Sequence, residues 1–114
     1  MADEKTESTE FSVDRTNLYR EENFTDLKIG SIRRLTPVKP DGSADKTRKT
    51  VFVGHTNLIT PNGPLPIQNV IQAKELQQAI KKFPEAIQSA MERLVEEAKK
   101  NKQKEESRII VPGS

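Results

Sequence analysis

The longest periodic segment of the chain lies in residues 73–103. Its large apolar side chains recur at spacings of three and four, which places them on one side of an α-helix. Most residues between them are Lys, Glu and Gln, which favour helices and keep their polar ends in water. The pattern therefore predicts a helix that needs an apolar surface to pack on. The apolar residues of this helix stripe are Leu76, Ile80, Phe83, Ile87, Met91 and Leu94.

Pro84 interrupts this helical pattern. Proline inside a helix removes one backbone hydrogen bond and clashes with the carbonyl four residues earlier, at a cost of about 3 kcal/mol. One solution is two helices, over residues 73–82 and 84–102, with Pro84 at the first position of the second. The other is a single kinked helix. Both solutions keep the helix stripe in phase.

Three segments before the helix have the composition of β-strands. Residues 27–38 alternate apolar and polar side chains and then slip in phase at Gly30, which predicts a strand with a β-bulge. Residues 48–60 contain the run VFV, which is typical of a central strand with apolar side chains on both faces. A TPNG turn leads into a third strand over residues 65–71. The sequence therefore predicts an α+β fold: a three-stranded antiparallel β-meander, then one proline-broken or two successive C-terminal helices packed on one face.

The third predicted strand carries prolines at positions 64 and 66. Their missing N–H groups fall on the same side of the strand, so we expect that strand to be a protected edge of the sheet. The first strand is then the opposite edge. It has no comparable protection unless residues 108–111, with the sequence RIIV, pair there.

Composition and the strand and helix patterns divide the chain into three parts. Residues 1–23 are acidic and poor in apolar side chains, which predicts a disordered N-terminal arm. Residues 24–103 hold the strand and helix patterns and form one small predicted domain. Residues 104–114 are interpreted as a flexible tail with a possible short strand at 108–111.

The residue inventory gives little support for an enzyme. The chain has no cysteine, so thiolate metal sites and disulfides are excluded. His55 is the only histidine, and no glycine pattern of a phosphate-binding loop occurs. We therefore predict no catalytic residues, no metal and no cofactor. No apolar run reaches the ~20 residues needed to cross a bilayer, so we expect a soluble, cytoplasmic protein without membrane contact.

The apolar residues exceed what one helical layer covers. Val51 and Val53 face opposite to Phe52, while the helices pack on one side of the sheet only. The second part of the helix also carries an additional stripe that includes Met91 and Val95. Both observations predict self-association, most simply a two-fold dimer. We therefore predict a small, non-enzymatic interaction protein that acts as a homo-oligomer and uses these two valines, Met91 and Val95 at its interface.

An alternative function follows from a cluster of basic residues around the loop between the first two predicted strands. Such a cluster can follow a phosphate backbone, which suggests a nucleic-acid- or ribosome-associated protein. Exposed aromatic rings that would stack on bases are missing from the pattern. A third alternative is an enzyme with its site around His55 in an oligomer cleft. The basic residues of the cluster are Arg33, Arg34, Lys46, Arg48 and Lys49.

Overall fold

The computed structural model describes the backbone of residues 11–113 and the side chains of residues 11–100. The predicted α+β class is confirmed: an antiparallel sheet in the order β1-β2-β3-β4 is followed by one helix. Residues 1–10 of the predicted disordered arm lie outside the described residues. The elements are β1 (Tyr19–Thr25), β2 (Gly30–Pro37), β3 (Val51–Thr60), β4 (Gly63–Ile71) and α1 (Leu76–Gly113).

The core lies between α1 and one face of the sheet. Phe52 of β3 and its cross-strand partner Ile71 are buried there, as is Ile67 further along β4. Full burial of such a side chain contributes about 1.5–3 kcal/mol. On the helix side, the small residues Ala79 and Ala90 are buried against the sheet and allow the helix to approach it closely.

The sheet has four strands, so the prediction of three was wrong. The additional strand, β1, covers residues 19–25, most of which the sequence analysis placed in the N-terminal arm. Its sequence YREENFT is polar and does not alternate clearly. The acidic residues Glu21 and Glu22 pair with Arg33 and Arg34 of β2, and this cross-strand charge pairing compensates for the missing apolar pattern.

The predicted β-bulge at Gly30 is also absent, because residues 26–29 form a turn. The carboxylate of Asp26 accepts hydrogen bonds from the backbone N–H groups of Lys28, Ile29 and Gly30. Leu27 adopts a φ of 58°, which is rare for a residue with a side chain. The slip in phase therefore marks the connection between β1 and β2, and β2 begins at Gly30 instead of Leu27.

Pro84 lies inside a single helix, so the alternative of two successive helices was wrong. The helix stripe stays in phase across the proline, and both Phe83 and Ile87 pack on the sheet. This packing offsets the lost hydrogen bond. Residues 108–111, the possible C-terminal strand, are part of α1.

Candidate functional site

The side of the sheet away from α1 is not covered by another described strand or helix. The odd-numbered residues of β3 lie on this side, because Phe52 and Gly54 face the helix. We call this side the open face. The predicted interface residues Val51 and Val53 both lie on it.

An apolar patch forms the centre of the open face. Leu35 of β2 is the cross-strand partner of Val51, and Val70 of β4 is the cross-strand partner of Val53. The four side chains are contiguous, because the two β3 valines are separated by one residue and point to the same side. We call these four residues the open-face patch. They come from three strands, so only the strand register brings them together.

The residues of the patch are accessible to solvent. Val70 is 49% exposed, and Leu35, Val51 and Val53 are half-buried. By contrast, Phe52, between the two β3 valines in the chain, is only 1% exposed. The difference follows from the single helical layer, which covers one side of β3 and leaves the other in contact with water.

Polar residues border the patch on both sides. Arg33 lies beside Val53 in the register and forms an ion pair with Glu21 of β1, with 2.7 Å between its Nε and the carboxylate Oε1. At the other side, His55 pairs in register with Ser31 and Gln68. An apolar centre with a polar border is the usual composition of a protein-binding surface.

The other two predicted interface residues lie elsewhere. Met91 packs against the buried pair Ile67 and Ile87 on the helix side of the sheet, so it belongs to the core. Val95 lies on α1 and is 53% exposed. The structure therefore does not bring Met91 and Val95 together with the open-face patch.

The basic cluster predicted from the sequence is divided between different surfaces. Arg33 lies on the open face, whereas Arg34 faces the helix side, where its guanidinium binds the Glu22 carboxylate at 2.9 Å and lies over the ring of Phe24. Lys46 and Lys49 are exposed in the connection between β2 and β3. These residues form no single basic surface.

Arg48 ties this connection to the start of the sheet. Its Nη2 group donates to the backbone carbonyls of Leu18 and Val38, at 2.8 and 3.0 Å, and its guanidinium lies over the ring of Tyr19. Its Nε donates to Asp45. Hydrogen bonds from the hydroxyl group of Thr47 and from Arg48 lower the pKa of Asp45 to about 2, so the carboxylate is ionised at neutral pH.

An apolar cleft of about 400 Å³ opens beside the turn between β1 and β2. We call it the Phe24 cleft. Phe24 and Ile29 line one side and Ile80 and Phe83 of α1 line the other. Ile29 and Ile80 are 61% and 56% exposed. The sequence pattern did not predict this cleft. Ile80 belongs to the helix stripe, which was expected to pack on the sheet, and Ile29 was expected to lie within a strand.

The described part of the chain contains no group of three or more His, Asp or Glu residues placed to hold a metal ion. None of its helices is long and apolar enough to cross a membrane.

Comparisons with protein-family models, with characterised proteins and with solved structures found no match to this chain.

Proposed function

We propose that this chain is a non-enzymatic binding protein that acts as a homo-oligomer, and that the open-face patch is its self-association surface. The observation that supports the proposal most strongly is the position of Val51 and Val53. They are apolar residues of a central strand and remain half-buried, because α1, the only described helix, packs on the opposite side of the sheet. Packing a second sheet at about 10 Å is the usual way to cover such a face.

A two-fold arrangement suits the composition of this face. In an isologous dimer the same patch occurs on both sides, so apolar residues meet apolar residues around the axis. The nearby charges of Arg33 and Glu21 already neutralise each other within one chain. Of the described strand residues beside the patch, these two charges therefore add little repulsion to the approach of a second copy.

The substitution Val53→Lys tests the proposal. It puts a charge in the centre of the patch without changing the helix-side core, so the variant is expected to fold and to lose the association that the open face mediates. Gln88→Lys is the matched control, because it adds the same charge at an exposed position of α1. Sedimentation velocity at micromolar concentrations is the measurement, with circular dichroism as the check of folding. A folded Val53→Lys variant that associates like the unaltered chain would overturn the proposal.

Nucleic-acid binding has less support as the alternative function. Three of the five basic residues predicted for it, Arg33, Arg34 and Arg48, are already bonded to Glu21, Glu22 and Asp45. Pairing with phosphate would have to replace these contacts. Co-purified nucleic acid, seen as a high ratio of absorbance at 260 to 280 nm and lost in the Arg33→Ala/Arg34→Ala variant, would favour this alternative over the open-face proposal.

A further inference from the structure

Within residues 11–113, no strand pairs with the outer edge of β1. The N–H of Val38 donates to the carbonyl of Leu18 and the N–H of Asp26 donates to the carbonyl of Gly30, and these two bonds set the phase of the ladder with β2. The even-numbered residues of β1 therefore bond to β2. Every second residue directs its N–H and C=O groups away from the sheet, and these residues are Tyr19, Glu21, Asn23 and Thr25.

The other edge of the sheet differs in this respect. Thr60 and Gly63 close a two-residue turn, so the even-numbered residues of β4 point outward. Two of these positions are Pro64 and Pro66, which have no N–H to donate. Prolines at such positions protect an edge strand against pairing with another chain. The sheet is therefore blocked at β4 and open at β1.

We propose that β1 pairs with β1 of a second copy of this chain, antiparallel and around a two-fold axis at Asn23, so that one continuous eight-stranded sheet forms. The inference shares with the proposed function the premise that the chain binds itself. It uses a different surface, which lies at the edge of the sheet instead of on its open face. The two contacts do not compete and are tested separately.

The charges of β1 select this register. An axis at Glu21 would place Glu21 directly opposite Glu21 of the second copy, and an axis at Glu22 would do the same for Glu22. Like charges in directly opposite positions are destabilising. An axis at Asn23 places neutral amides opposite each other. It also places Arg20 opposite Asp26 of the second copy, twice by symmetry. Opposite charges in such cross-strand pairs are stabilising.

The Phe24 cleft supports the same register. α1 contacts β4, β3 and β2 but not β1, so none of the other described elements covers the helix side of β1. With the axis at Asn23, Phe24 of each copy lies diagonal to Phe24 of the other, at the roughly 7–8 Å that aromatic side chains can bridge. The two clefts then adjoin across the axis. An axis one residue further along, at Phe24, would instead place Glu22 of one copy opposite Asp26 of the other, and both are negatively charged.

Disulfide trapping tests the pairing directly, because the chain has no cysteine of its own. With this axis, residue 23 of one copy lies opposite residue 23 of the other in a hydrogen-bonded pair. The two Cα atoms are then about 5.5 Å apart. This separation suits a disulfide bond. The Asn23→Cys variant is therefore expected to form a covalent dimer under mild oxidation. Ser89→Cys, at an exposed position of α1 away from both proposed contacts, is the matched control.

The expected result is that Asn23→Cys crosslinks on the order of tenfold or more faster than Ser89→Cys, since thiols held in one complex react at millimolar effective concentration. Adding Glu21→Pro, which removes an outward N–H, should reduce the rate to the control level. Adding Gln68→Pro at the blocked edge should leave it unchanged. Equal rates for the two cysteine variants would overturn the proposal, and faster crosslinking of Glu22→Cys would overturn the register.

A combination with Val53→Lys separates this inference from the proposed function. The edge contact does not involve the open-face patch, so the crosslinking of Asn23→Cys should persist in the Val53→Lys background. Persistence supports the edge pairing even if the open face fails its own test. Loss of crosslinking in this background would mean that the thiols meet through the open face, which would overturn the edge pairing.

Discussion

The ring of Phe83 in α1 packs on Gly54 in the centre of β3. A Cβ atom built on Gly54 would lie 2.9 Å from Cδ2 of Phe83, closer than carbon atoms approach each other in proteins. Gly30 of the neighbouring strand meets the same ring, where a Cβ atom would lie 2.8 Å from its Cζ. The two glycines provide the space in which the helix rests on the sheet. The position of α1, and therefore which side of β3 remains open, depends on this contact.

The first prediction concerns Gly54→Ala. The new methyl group forces Phe83 away from its site, and overpacking of this kind costs about 1–3 kcal/mol of unfolding free energy. Urea denaturation measures the loss. The double variant Gly54→Ala/Phe83→Leu should lose less than the sum of the two single variants, because the smaller side chain makes room for the methyl group. Additive losses would show that the ring does not rest on Gly54.

The second prediction concerns Leu27→Gly. Leu27 has a φ of 58° and is 90% exposed, so its side chain adds strain and almost no packing. Glycine adopts this conformation without the steric cost of roughly 1–2 kcal/mol. We expect the variant to be more stable by about 1 kcal/mol, after allowance for the greater freedom of glycine in the unfolded chain. The control is Lys28→Gly, which should destabilise. A less stable Leu27→Gly variant would argue against the turn at residues 26–29.

The third prediction concerns Pro84→Ala. Within a continuous helix, alanine restores the hydrogen bond to the carbonyl of Ile80 and removes a steric clash, so we expect a gain of about 1–3 kcal/mol in unfolding free energy. Ser89→Ala, on an exposed position of the same helix, should gain only about 0.5 kcal/mol. If a second helix began at Pro84, the proline would be favourable there, and Pro84→Ala would be neutral or less stable.

The fourth prediction concerns acid. The folded-state pKa of Asp45 is about 2, below its ordinary value of 3.8, so its ionised form stabilises the fold. This contribution is complete above pH 4 or so and is lost as the pH falls toward about 2. Carboxyl NMR should show Asp45 titrating near 2 in the unaltered chain. In Arg48→Lys, which loses the guanidinium bonds, Asp45 should titrate at higher pH. Titration near 4 in the unaltered chain would contradict the contacts described for Arg48.

Local patterns were sufficient for the elements whose residues alternate between buried and exposed. The stripe through Phe83 and Ile87 predicted the helix, the VFV run predicted the central strand, and Pro64 and Pro66 predicted the edge at β4. These features depend on burial and backbone chemistry that are visible within about ten residues of sequence.

Other features required contacts between distant residues. β1 was missed because its acidic residues are compensated by Arg33 and Arg34 of another strand. The sequence left a single helix and two successive helices as alternatives, because the packing of Phe83 that offsets the cost of Pro84 is not visible in the local pattern. Val51 and Val53 could be assigned to the open face from their alternation with Phe52, but Leu35 and Val70 join the patch only through the register.

The central claim is that the sheet, covered by α1 on one side only, is covered on the other by a second copy. Sedimentation velocity of the unaltered chain over a range of micromolar concentrations tests this claim most directly. We predict a concentration-dependent shift toward the mass of a dimer or a larger assembly, and Val53→Lys should reduce this assembly to the species held by the β1 edges alone. A compact species with the mass of one chain at every concentration would contradict the account.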